Sequence, residues 1–182
     1  MSDKLYKLKY PVGEFQKPDH IDTATLKKWQ AEIIIFPVSL ANSIKDLTED
    51  QLSWRYRPDG WTIRQVVHHC ADSHMNSFSR FKLCLTENSP EIKPYDEAEW
   101  AKLSDTVDCP VEDSLLLLTG LHKRWGVLMG ALSESDMKRE FVHPEHGKRF
   151  SLDETIGNYA WHCRHHLAHI NQAIEGGGKY NM

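Results

Sequence analysis

Histidines supply the spacing in this chain that could do chemistry. Four of the eleven, His162, His165, His166 and His169, fall within little more than two turns of one helical stretch. The pairs His162/His166 and His165/His169 are each four residues apart, which sets two imidazoles side by side on one helix face, able to grip one ion. At roughly 100° per residue, Ile156, Ala160, Cys163, Leu167, Ile170 and Ile174 define an apolar arc. His162 and His166 lie along one edge of it, while His165 and His169 lie further out toward solvent. The first pair is the better ligand candidate.

Two side chains do not usually hold a catalytic metal, and a third is offered by the stretch from Trp61 to His74, which contains His68, His69 and His74. Its apolar arc is set by Ile63, Val66, Val67, Cys70, Phe78, Phe81 and Leu85. On that wheel His69 takes the same flanking angle as His162, His68 points away, and His74 points into the middle of the arc. The expected metal ligands are therefore His69, His162 and His166. Neutral imidazole nitrogens at about 2.0–2.1 Å suit zinc, with nickel or another divalent ion also accommodated, and three of them leave a position open for water or substrate. Such an ion lowers the pKa of a bound water toward neutrality and would deprotonate a bound thiol in the same way. Hydrolysis and thiol transfer are the two chemistries this predicts.

Plainer readings apply to the remaining candidates. Cys70 and Cys163 suit small buried core positions. His74 and His122 lie on apolar stripes and read as hydrogen-bonded core histidines, or as supports or substitutes for a ligand. Trp29 and Trp125 read as core, and Arg64, Arg164 and Asp72 as solvated or paired. Asp72 or a Glu of the long central loop could be a general base, but no spacing selects one, and the catalytic residues stay unassigned. A bundle whose metal is structural, or that binds a ligand without chemistry, is the third reading.

The elements that must position these residues are helices. Ser151 and Glu154 have the spacing of a capping box, and Gly176 to Gly178 stop the helix that follows. Leu26, Trp29, Ile33, Phe36, Leu40, Ile44 and Leu47 predict a first long helix from about Thr23, with Pro37 kinking it. A short capped turn at Thr48 to Leu52 and a Pro58-Asp59-Gly60 loop lead to the His69 helix, which runs to about Glu87. Asn88 to Pro110 is a loop long enough to cross the molecule or cover a site. Val111, Leu115, Leu118, His122, Trp125, Met129 and Leu132 make the third long helix. Residues 1–20 read as an extended arm and 176–182 as a tail. Leu47-Thr48-Glu49 and Leu132-Ser133-Glu134 open similar series, a faint repeat that suggests two helix pairs about a pseudo-twofold. No strand-like alternation competes, so the expectation is an all-α four-helix bundle with long connecting loops, one domain over residues 1–182.

Composition narrows the function class. A 182-residue chain that is 40% hydrophobic and 26% charged suits one domain with a sizeable core. A net charge of -4 offers no footprint for nucleic acid. The longest apolar runs, around Ile33 to Val38 and Leu115 to Leu118, are too short to span a bilayer. Cys70, Cys84, Cys109 and Cys163 have no metal-type spacing and are expected to be reduced thiols in a soluble cytoplasmic protein.

Several motifs then carry a resemblance. Trp61-Thr-Ile-Arg-Gln-Val-Val-His68-His69-Cys-Ala-Asp-Ser-His74, Arg80-Phe-Lys-Leu, Pro94-Tyr95 with Glu99-Trp100, His143-Pro-Glu-His146-Gly and Tyr159-Ala-Trp-His162-x-Arg-His-His166-Leu-Ala-His169 together resemble the YfiT proteins of the DinB-like superfamily, described as metal-dependent hydrolases. The likeness runs from Tyr10-Pro11-Val12-Gly13 to Ile170. It implies a four-helix bundle, often a homodimer, holding one divalent ion on three histidines that fall at His69, His162 and His166. Related DinB-like bundles are S-transferases that join a low-molecular-weight thiol such as bacillithiol to electrophiles. The resemblance thus leaves hydrolysis and thiol transfer of a small-molecule substrate both standing.

Overall fold

The computed structural model describes residues 3–145 and 147–181. In chain order the elements are α1 (Asp3–Lys9), α2 (Thr23–Ile44), α3 (Glu49–Leu52), α4 (Ile63–Thr86), α5 (Glu97–Trp100), α6 (Ser104–Val107), α7 (Val111–Gly130), α8 (Glu134–Met137), β1 (Glu140–His143), β2 (Lys148–Ser151) and α9 (Leu152–Gly176). The long helices α2, α4, α7 and α9 form a four-helix bundle. Asp22 starts α2 by accepting the Thr25 N–H at 2.7 Å. Thr62 and Gln65 exchange two capping hydrogen bonds at the start of α4. At the other end of the chain Gly177, at φ +57°, stops α9 in the left-handed conformation that glycine adopts without a Cβ penalty.

The repeat is visible as long helix, four-residue helix, long helix in each half. Thr48 and Ser133 close equivalent capping boxes on α3 and α8. Each long helix packs chiefly against the two from the other half, α2 on α9 and α7, α4 on α7 and α9. The two helices of one half are therefore diagonal partners, and α4 and α9, which carry the histidine candidates, are neighbours. Between the four helices Ile33, Phe36, Leu40, Phe81, Leu118, Trp125, Ile156 and Ile170 are wholly or almost wholly buried. Burying one such side chain contributes about 1.5–3 kcal/mol. Gly157 lets α9 approach α2, since a Cβ there would lie 2.8 Å from the Trp29 ring.

Four expectations are corrected. The arm is not extended throughout, because residues 3–9 are α1, with Asp3 in its first turn and Lys7 and Lys9 in its last, each charge placed to complement the helix dipole. A hairpin precedes α9, with Phe141 registered against Phe150 and their rings 5.9 Å apart. Four-residue strands are too short to show alternation in a sequence. The long central loop contains α5 and α6. The box expected at Ser151 does not form: the Ser151 hydroxyl donates to Asp153, which also accepts the Glu154 N–H, and Glu154 instead pairs with Lys17. Among the described residues no helix is long and apolar enough to cross a membrane.

Candidate metal centre

The structure brings His69 of α4 together with His162 and His166 of α9. One ring nitrogen from each lies within 4.8 Å of the others. The Nε2 atoms of His69 and His162 are 3.3 Å apart, close to the spacing of about 3.4 Å that two nitrogens would have on a tetrahedral ion at about 2.0–2.1 Å. Burial pushes the His69 ring down to about 3, and holds His162 and His166 well below the usual histidine range, neighbouring rings adding to the effect. All three are neutral at pH 7, the state in which imidazole binds a metal. The donor set thus fits a divalent ion, by chemistry and by spacing.

His165 and His169 are not out toward solvent. They are 7% and 2% exposed, because the N-terminal segment lies over them. The His169 Nε2–H donates to the Lys9 carbonyl at 3.1 Å, and the ring stacks on Tyr56 at 3.8 Å. His165 stacks on Trp161, whose indole N–H donates to the Gly13 carbonyl at 2.9 Å. Gln172 ties the same segment down through the carbonyls of Leu8 and Tyr56. A helical wheel registers the face that a residue occupies on its own helix, so contacts to a segment some 160 positions away lie outside its reach. His165, His166 and His169 form a second group of nitrogens within 4.8 Å. Unlike the first, it comes from one helix alone and has one nitrogen already committed to Lys9.

His68 turns away from the site, accepting from the Ser114 hydroxyl at 2.8 Å and donating to the Cys109 carbonyl at 3.2 Å. His74 is wholly buried and lies between His122 and His162, with Nδ1 2.7 Å from His122 Nε2 and Nε2 3.1 Å from His162 Nδ1. Cys70 and Cys163 are free thiols in the core, and burial raises both well above the usual range.

The three histidines line a cavity of about 550 Å³ together with Tyr10 of the N-terminal segment, Tyr56, Arg57 and Trp61 of the loop before α4, and Glu97 of α5. A second cavity of about 200 Å³ also reaches His162, lined by Ser73, Arg80 and Tyr159, and Glu97 lines it too. Partial desolvation raises the Glu97 carboxyl above its ordinary value, although the residue as a whole is exposed, with the Arg80 guanidinium opposing. Asp72, the other carboxylate considered, stands beside Asp105 and lines neither cavity. Glu97 was hidden in the sequence among six Asp and Glu between residues 91 and 108; its cap residue, Asp96, was the available local signal.

Residues 38–170 match the DinB superfamily. A relative from Oceanobacillus iheyensis named "Putative metal-dependent hydrolase OB0782" is 52% identical over 162 residues, 89% of this chain and 93% of its own. One from Bacillus mycoides, named likewise, is 50% identical over 168 residues, 92% of this chain and 96% of its own. Among solved structures, YfiT from Bacillus subtilis, described as "a probable metal-dependent hydrolase with an unusual four-helix bundle topology", matches with a TM-score of 0.92 at 42% identity, over 94% of this chain and 98% of that one.

Proposed function

Because the chain belongs to the DinB superfamily, we propose that it is a metal-dependent hydrolase in which His69, His162 and His166 hold one divalent ion, zinc most readily. The observation that carries this is the convergence of three neutral imidazoles from two helices on one cavity. An ion held there would supply Lewis acidity and acidify water at its open position. Glu97, which lines both cavities that reach His162, would take a proton from water at its carboxylate and return it to the leaving group. Tyr56, Trp61 and Tyr10 supply aromatic walls to the cavity.

Thiol transfer is the second reading, and the cavity itself favours it. About 550 Å³ leaves room for a thiol cofactor beside a second substrate, and Lys9 and Arg57 on its lining suit a thiol that carries carboxylates. We also propose a second copy of the chain as partner, on the face where Ile34, Ile35 and Val38 of α2 and Val127 of α7 are exposed; sedimentation of the purified protein tests it.

The deciding experiment is elemental analysis before and after chelation, with both samples assayed on ester and amide substrates and on an electrophile, with and without an added low-molecular-weight thiol. One metal per chain with thiol-independent hydrolysis is the expected result. Thiol-dependent conjugation would select the transferase. A protein without metal would sink both.

A further inference from the structure

Pro37 lies inside α2, where the residue at 37 would ordinarily give its N–H to the carbonyl of Ile33. Proline has no N–H, so that carbonyl has no helical partner. It lies in the core, Ile33 being fully buried, and a buried carbonyl without a partner is costly. His122 of α7 fills the place, its Nδ1 2.6 Å from the Ile33 oxygen.

A carbonyl can only accept, so the His122 proton is on Nδ1. Burial pushes that ring down to about 4, which keeps it neutral at pH 7 and leaves Nε2 a bare acceptor. His74 Nδ1, 2.7 Å away, must then be the donor, and His74 Nε2 in turn an acceptor. The partner of His74 Nε2 is His162 Nδ1 at 3.1 Å, which must donate. A neutral imidazole carries one N–H, so His162 Nε2 is left unprotonated; this is the atom that faces His69 Nε2, and its other polar neighbour, the Ser73 hydroxyl at 3.4 Å, can donate to Tyr159 instead.

We propose that Pro37 sets the tautomer of His162 through the Ile33 carbonyl, His122 and His74, so that His162 presents a bare Nε2 to the ion; His74 and His122 are positioning residues. This rests on the three-histidine reading given above. Each link is a hydrogen bond whose direction is dictated by the one before it, and only the carbonyl at the end has a fixed polarity. The proline thereby has a use beyond its effect on its own helix. It frees the one acceptor that gives the chain of rings its direction.

The test combines imidazole ¹⁵N NMR of the full-length protein after chelation with zinc-binding titrations of wild type, Pro37→Ala and His122→Leu. In wild type the His162 proton is expected on Nδ1. His122→Leu removes the anchor and is expected to weaken zinc binding by about 10–100-fold, as for other groups that orient a metal-binding histidine. Pro37→Ala keeps every ring and restores an N–H that competes for the Ile33 carbonyl; a mixed His162 tautomer and weaker zinc binding are expected. It serves as the deciding variant if His122→Leu does not fold. A His162 proton found on Nε2 in wild type, or wild-type tautomer and affinity in Pro37→Ala, would overturn the proposal. His162→Ala separates the two ideas. If it loses zinc while Pro37→Ala and His122→Leu bind normally, the relay alone fails, whereas if it keeps its zinc, the three-histidine site fails.

Discussion

His69 Nε2 and His162 Nε2 face each other at 3.3 Å across the seam between α4 and α9, and His166 stands one turn further along α9. Two nitrogens at that distance need a proton or an ion between them. Replacing His69, His162 or His166 with Ala is therefore expected to abolish stoichiometric metal, measured per chain by elemental analysis. His68→Ala should keep it, because both His68 nitrogens are occupied by Ser114 and Cys109. His165→Ala should also keep it while loosening the N-terminal segment. Metal lost in His165→Ala and retained in His69→Ala would move the site to the second group of histidines.

The buried imidazoles are expected to make the fold acid-labile. His69, His122, His165 and His169 are lowered to between about 3 and about 4, burial being the main cause of each. A histidine depressed in the folded state binds fewer protons there than in the unfolded chain between its folded pKa and about 6.5. Stability should then fall as the pH drops from about 6.5 toward 4. Urea midpoints taken across that range check this, and a flat profile would show that the rings are protonated in the folded protein.

Asp72 carries the opposite sign. Burial first, and Asp105 second, raise its carboxyl to about 6, so the folded state binds more protons than the unfolded one between about 4 and 6, and its contribution to stability declines as pH rises through that window. Asp72→Asn is expected to stabilise the protein at pH 7 by about 1 kcal/mol, a figure reduced for the solvent that still reaches the group, and to change little near pH 4. Thermal melts at the two pH values decide it.

Among the described residues, Glu97 is the carboxylate common to the two cavities that reach His162. Glu97→Gln should keep metal content and melting temperature and lower kcat by about 10²–10⁴-fold, the usual loss for a general base. Unchanged turnover on a substrate that wild type hydrolyses would remove Glu97 from the mechanism.

Gly157→Ala tests the closeness of α2 and α9. Its Cβ would stand 2.8 Å from the Trp29 ring, and overpacking of this kind costs about 1–3 kcal/mol. Chemical denaturation should report a loss of that size, and Trp29→Leu in the same background should recover part of it by making room.

Much of the bundle could be read from the chain because its causes are local. The periodic runs through Leu26 to Leu47, Ile63 to Leu85 and Val111 to Leu132 mark three of the long helices within a residue or a few of their ends. Thr48 and Ser133 announce the repeat through their caps. The i, i+4 spacing of His162 and His166, together with the wheel position of His69, was enough to place three rings on facing edges of two helices.

What covers a helix face is decided elsewhere in the chain, and the sequence by itself is silent there. The His165 and His169 edge reads as solvent-facing until Lys9, Tyr10 and Gly13 close over it. Glu97 is one carboxylate among several until the central loop folds back to the cavity. The partner of His122 is a carbonyl freed by a proline on another helix. Spacing alone determined which side chains share a face, since helical geometry repeats every few residues. Only the tertiary structure decided which faces are buried, which rings touch and which nitrogens stay bare, because those depend on contacts between segments that helical periodicity does not connect.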